Sequence, residues 1–147
     1  EYVDCHFRQC NFTNASFADV ELIDCTFTDC NLTLATLRKA SLKNVRFERC
    51  QLTGLNFSDA NDFLFEVSFD GCTLTSCIFY KKKLKKTVFT NSTFANVDFE
   101  AADLTEARFD GCDLTNTNFQ QTNLTKADFR RAVNYQIDPE ANTITKA

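Results

Sequence analysis

Eight cysteines and a single histidine are the residues of this 147-residue chain best suited to chemistry. Thiolates would bind zinc if four ligands met at one point. Pairs would form disulfides if their Cβ vectors faced each other at the right separation. The spacing points elsewhere. The cysteines stand at positions 5, 10, 25, 30, 50, 72, 77 and 112, and every gap is a multiple of five except for one slip of two residues before Cys72. Side chains set out by such a repeat run parallel, which suits a small filler in a narrow interior. Unpaired thiols in this number fit a reducing cytoplasm. His6 shows no partner in the sequence, and the many Ser and Thr lack a base to activate them. No Gly-rich phosphate loop or paired-carboxylate pocket is legible. No catalytic residue, metal ligand or cofactor is assigned, and an enzyme is not expected.

The elements that must carry these residues follow from a second pattern. Phe or Leu occupies every fifth position from Phe7 to Phe57 and, after a two-residue insertion, from Leu64 to Phe129. Neither a helix nor an ordinary strand has that period. In steps of 20, with 22 across the insertion, one series reads Phe7, Phe27, Phe47, Phe69, Phe89, Phe109, Phe129. Another reads Leu22, Leu42, Leu64, Leu84, Leu104, Leu124. Like stacks on like where each coil fills the same cross-section as its neighbour. The expectation is an all-β, right-handed quadrilateral parallel β-helix of about seven coils, four five-residue faces per coil. A two-residue bulge is placed near 60–65. An unbroken Leu series requires Leu64 to point inward, with Asp62 or Phe63 outside the regular path.

Two residues before each large one lies a small inward position that holds all eight cysteines. Asp62 and Lys82 break its rule and are expected to form an ion pair, since an unpaired charge facing the interior is costly. Positive φ is expected at corner residues Asn14, Asp19, Asp24, Asp29, Asn44, Gly54, Asp59, Gly71, Asn91 and Gly111. The solenoid is assigned to residues 1–132 and a C-terminal cap or tail to 133–147, where Asn134 replaces the apolar residue of the repeat.

The repeat, as in Ala102-Asp103-Leu104-Thr105-Glu106 and Cys112-Asp113-Leu114-Thr115-Asn116, resembles the pentapeptide-repeat family. Within it, the stretch Arg131-Ala132-Val133-Asn134-Tyr135-Gln136-Ile137-Asp138-Pro139 is similar to the Qnr-type, quinolone-resistance-like branch. The resemblance implies a bacterial, cytoplasmic protein without catalytic activity. It further implies partial mimicry of duplex DNA, binding to DNA gyrase or topoisomerase IV, and protection against quinolones. The alternative is a generic interaction scaffold with an unknown protein partner. The sequence shows neither the C-terminal helix through which that branch dimerises nor a long projecting loop. It opens mid-repeat at Glu1, as a trimmed chain would, and an uncovered first coil leaves dimerisation or end-to-end association open.

Charge bounds the mimicry. The chain has 20 acidic and 16 basic residues, net −4, whereas duplex DNA of about 30 Å carries roughly 18 negative charges. Only a stripe could imitate it. The candidate acidic edge is Asp4, Asp24, Glu48, Glu66, Asp70, Glu106 and Asp110. A second candidate partner surface gathers at the bulge: Phe63, Phe65, Tyr80, Lys81, Lys83, Lys85 and Lys86, because exposed aromatics beside bases mark partner sites. No run approaches the length of a membrane span. The expected partner is a protein. No small-molecule substrate and no direct nucleic-acid binding are expected.

Overall fold

The computed structural model describes residues 1–147. Twelve short strands follow in order: β1 (Tyr2–Val3), β2 (His6–Arg8), β3 (Glu21–Ile23), β4 (Thr26–Thr28), β5 (Ser41–Lys43), β6 (Val45–Glu48), β7 (Gln51–Thr53), β8 (Val67–Asp70), β9 (Thr73–Thr75), β10 (Val88–Thr90), β11 (Thr93–Ala95) and β12 (Asp113–Thr115). They form three parallel sheets, β2-β4-β6-β8-β10, β7-β9-β11-β12 and β1-β3-β5, which are the first, second and fourth faces. The third face, and the upper fourth, are held by isolated parallel bridges such as Ile78 to Asp98 and Asp103 to Asn123. Parallel strands joined by such crossovers wind right-handed.

The five-residue period is physical. Each face exposes a residue on either side of one inward side chain, giving the half-buried, buried, half-buried pattern of β3 and β5. The chain then turns. The N–H of the next small inward residue donates to the preceding Phe or Leu carbonyl, as from Ala15 to Phe12 (2.9 Å) and from Ala40 to Leu37 (2.9 Å). Corner residues take positive φ, including Leu34, Lys81 and Gln121. The solenoid therefore imposes the left-handed conformation even where no Asn, Asp or Gly eases it. At Gly54 the requirement is also steric, because a Cβ there would lie 2.7 Å from Leu34 Cδ2. Asp59 departs from expectation: it sits in the one 3-10 turn, Phe57–Asp59, and not at a left-handed corner.

In-register pairing puts Phe7 on Phe27, Phe27 on Phe47 and Phe47 on Phe69. The rings stack at centroid distances of 4.8, 5.2 and 5.3 Å, close to the strand spacing of about 4.8 Å. A second column, Phe57, Phe79, Phe99 and Phe119, meets the first edge-on, as in the 89° contact of Phe57 with Phe69. Stacking along a column and T-shaped contact between columns are both favourable ring geometries. The stack from Phe7 to Phe129 makes six turns of coil.

The Leu column breaks at the insertion. Leu64 does not point inward; it is 62% exposed and takes φ 54. Asn61 still pairs with the coil below, its N–H donating to Ala40 O, and Glu66 N–H donates to Leu42 O. Between those anchors Phe65 N–H bonds Asp62 O, and the turn so closed expels Phe63 and Leu64. Phe65 packs on the core in place of the leucine. Leu84, one coil up, is buried as expected.

Near the C-terminus Val133 pairs above Asp113 and Thr143 above Asn123, both at the same 20-residue step. The segment between them leaves the third face. Tyr135 covers Phe129 at a centroid distance of 5.3 Å, and the Asn142 amide donates to Phe119 O. No helix is long and apolar enough to cross a membrane.

Candidate functional site

The thiols are tied to the backbone. Cys30 Sγ donates to Phe7 O (3.3 Å), Cys50 to Phe27 O (3.3 Å), Cys72 to Phe47 O (3.2 Å) and Cys112 to Phe89 O (3.4 Å). The filler role expected of cysteine thus includes a weak donor for a carbonyl of the coil below. Burial pushes the Cys77 thiol up to about 12 and the Cys112 thiol up to about 11. A protonated, enclosed thiol is a poor nucleophile and a poor ligand. In the folded protein a thiol reagent should label half-buried Cys5 and Cys10 quickly, and the six buried cysteines only on unfolding. Rapid labelling of all eight at low denaturant would show that the interior opens.

One cluster joins His, a hydroxyl and a carboxylate. His6 Nε2 lies 2.8 Å from Thr28 Oγ1, and Thr28 Oγ1 donates to Glu48 Oε2 at 3.4 Å. Arg8 Nε donates to His6 Nδ1 at 3.1 Å, which assigns the imidazole proton to Nε2. In that tautomer His6 donates to Thr28 and cannot take its proton, so the cluster is not a nucleophile–base pair. Its surroundings, Gln9, Asp29 and Arg49, give no apolar wall. The spacing hides it: His6 and Thr28 are 22 residues apart, one coil plus two, the diagonal that also joins Glu21 and Lys43.

The acidic edge is only partly free. Glu106 pairs with Lys86 (3.8 Å), and Asp110 with Arg131 (2.6 Å). Asp24 accepts from Asn44 Nδ2 (2.6 Å), and Asp70 from Thr90 Oγ1 (2.9 Å). Asp4 and Glu66 are exposed and make no ion pair. Ion pairs depress several carboxyl pKa values on the first face. The Arg130 guanidinium holds Asp128 down to about 2, and Arg49 and Arg131 lower Asp29 and Asp110. An unfolded Asp titrates near 3.9. The stability these carboxylates contribute is therefore whole above about pH 4 and is lost as pH falls toward 2. Urea midpoints measured from pH 5 downward should drop in that window, and less steeply in Asp128→Asn; a flat wild-type profile would count against the pairs.

At the bulge Lys82 is drawn inside. Its Nζ donates to Ala60 O (2.7 Å) and Asp62 Oδ1 (2.9 Å) and lies 4.3 Å from the centre of the Phe65 ring. The ion pair expected from the sequence is present. Phe63 is 72% exposed, with Lys43 Nζ 5.7 Å from its ring. Tyr80 is exposed on the third face, with Lys81 Nζ 5.2 Å from its ring. Lys83, Lys85 and Lys86 are exposed on the fourth face and its corner. A groove of about 550 Å³ runs beneath the bulge at the corner between the fourth and first faces. It brings Asp24 and Glu66 of the acidic set together with Phe65, Lys85 and Lys86 of the other set. Asp4, Glu48, Asp70, Glu106 and Asp110 lie outside it, as do Phe63, Tyr80, Lys81 and Lys83. A second cleft, of about 810 Å³ between Asn116–Gln120 and the departing tail, carried no sequence signal.

A profile of the pentapeptide repeat region matches residues 1–61 and 63–134, and its single interruption falls at Asp62, in the bulge. The chain belongs to the pentapeptide-repeat family. Among solved structures this pentapeptide-repeat protein is similar to a trypsin-treated QnrB1, a plasmid-mediated fluoroquinolone resistance protein. The TM-score is 0.73 at 17% identity, covering 98% of this chain and 79% of that one. Full-length QnrB1 gives a TM-score of 0.57 at 18% identity, covering 98% and 81%. At such identities the likeness is one of fold. Curated protein sequences give no match.

Proposed function

We propose that this pentapeptide-repeat protein is a non-catalytic, cytoplasmic bacterial scaffold that recognises another protein through the edge between its fourth and first faces. The observation that carries this reading is the groove beneath the bulge. It is a place where the regular surface is interrupted, and it gathers carboxylates without a cation partner, lysines, exposed Leu64 and half-buried Phe65 on a rigid support. The finer reading is that the partner is a type II topoisomerase, met by partial DNA mimicry. The fold-level similarity to a fluoroquinolone resistance protein favours it, as do Asp4, Asp24 and Glu66, which keep no cation partner. The small net charge and the Glu106 and Asp110 ion pairs confine mimicry to the lower half of the edge.

The test is gyrase supercoiling with and without ciprofloxacin, titrated with the protein. Protection that disappears when Asp24, Glu66 and Asp70 are changed to Lys supports mimicry. Protection that survives those changes moves the contact elsewhere. No effect at any concentration removes topoisomerase as the partner and leaves the scaffold reading to other proteins.

A further inference from the structure

On the fourth face, one rung carries two lysines without an ion-pair partner. Lys83 and Lys85 point outward from the rung around Leu84, and neither has a carboxylate within ion-pair distance. Lys86 closes the rung at the corner, with Glu106 as a distant partner at 3.8 Å. Directly below, the bulge offers Phe63 and Leu64, 72% and 62% exposed. These apolar side chains are held from behind. Asp62 is bonded to Lys82, whose ammonium is buried against Ala60 O, and Phe65 is packed on the core. The apolar knob beside the row of ammonium groups is therefore preorganised, and little ordering cost remains on its side of the contact.

We propose that this rung and the bulge beneath it bind an acidic protein segment in extended conformation, with carboxylates on Lys83 and Lys85 and one apolar side chain against Phe63 and Leu64. The surface shares Leu64 and Lys85 with the groove beneath the bulge, but it uses none of the carboxylates of the acidic edge and does not depend on the topoisomerase reading. Spacing favours a peptide strand. Lys83 and Lys85 flank inward Leu84 on one rung, so their side chains leave the same face roughly 7 Å apart, the distance between alternate side chains of an extended peptide. A nucleic-acid strand fits less well, because it carries a charge at every nucleotide and Glu66, Asp103 and Glu106 border the lysine row one rung away, whereas a peptide can set neutral side chains beside those carboxylates.

The probe is a fluorescein-labelled peptide of alternating glutamate and threonine with one central glutamate replaced by phenylalanine, followed by anisotropy. The intact protein should bind it in the micromolar range, more weakly as salt is raised. The double variant Lys83→Glu/Lys85→Glu should lose at least about tenfold in affinity, and Phe63→Ser/Leu64→Ser about tenfold. All four positions are exposed, and unchanged thermal melts will show that each variant folds. The proposal is overturned by absence of binding at about 1 mM protein. It is equally overturned by affinity that neither variant changes, or by tighter binding of an oligo(dT) probe of equal charge.

Discussion

Phe89→Ala should remove about 3–5 kcal/mol of stability, the range for a buried Phe truncated in a core that cannot collapse. Phe89 is fully buried, stacked on Phe69 at 5.1 Å and under Phe109 at 5.0 Å, with interplanar angles of 1° and 2°. It also meets Phe79, Phe94 and Phe99 edge-on. Coils cannot close over the gap, because their separation is fixed by backbone hydrogen bonds at the strand spacing. In a solenoid each coil is stabilised by its neighbours, so a gap in the middle weakens two interfaces at once. Phe129, half-buried at the end of the column beneath Tyr135, borders only one such interface. Phe129→Ala should cost about half as much. Phe89→Leu keeps most of the volume and should cost about 1 kcal/mol. Thermal melts should show a Tm lower by roughly 10 °C for Phe89→Ala. Equal losses at Phe89 and Phe129 would contradict the column as a nearest-neighbour stack.

The regular part of this molecule is written in spacing. A 20-residue step places Phe27 over Phe7 and sends Leu84 inward, because a fixed cross-section leaves each inward position one occupant. Spacing cannot decide an insertion that contains three apolar residues in a row. At Phe63-Leu64-Phe65 every choice satisfies hydrophobicity. The outcome is set by the hydrogen bond of Phe65 N–H to Asp62 O and by the Lys82 ammonium that needs an aromatic face. The corner column of the candidate site is legible in the sequence, but the groove is not. Asp24, Asn44, Glu66 and Lys86 recur at the coil step, whereas spacing does not show that Leu64, Phe65 and Lys85 join them in one groove. His6 and Thr28 escape a search by column, since their contact runs diagonally between rungs. The return of Thr143 to register over Asn123 is similarly masked by Asn134 and Pro139, which interrupt the apolar series on the way.

Asp62→Ala is expected to be more damaging than Lys82→Met, although Asp62 is the more exposed partner. The Lys82 side chain is 2% exposed and that of Asp62 68%. Removing the carboxylate strands a buried ammonium with one carbonyl and one ring face, and breaking a buried pair in this way costs about 3–5 kcal/mol when both ions are enclosed. Solvent at the Asp62 side reduces that to about 2–3 kcal/mol here. Removing the charge instead leaves Asp62 free to hydrate. Methionine fills the space of the lysine stem, and the remaining penalty is the unpaired Ala60 carbonyl, about 1 kcal/mol. The double variant Asp62→Ala/Lys82→Met should then match Lys82→Met alone, giving a coupling of about 2 kcal/mol in a denaturant-based cycle. Additive losses would mean that the two side chains act independently, and the bulge would then lose the anchor that holds Phe63 and Leu64 toward solvent.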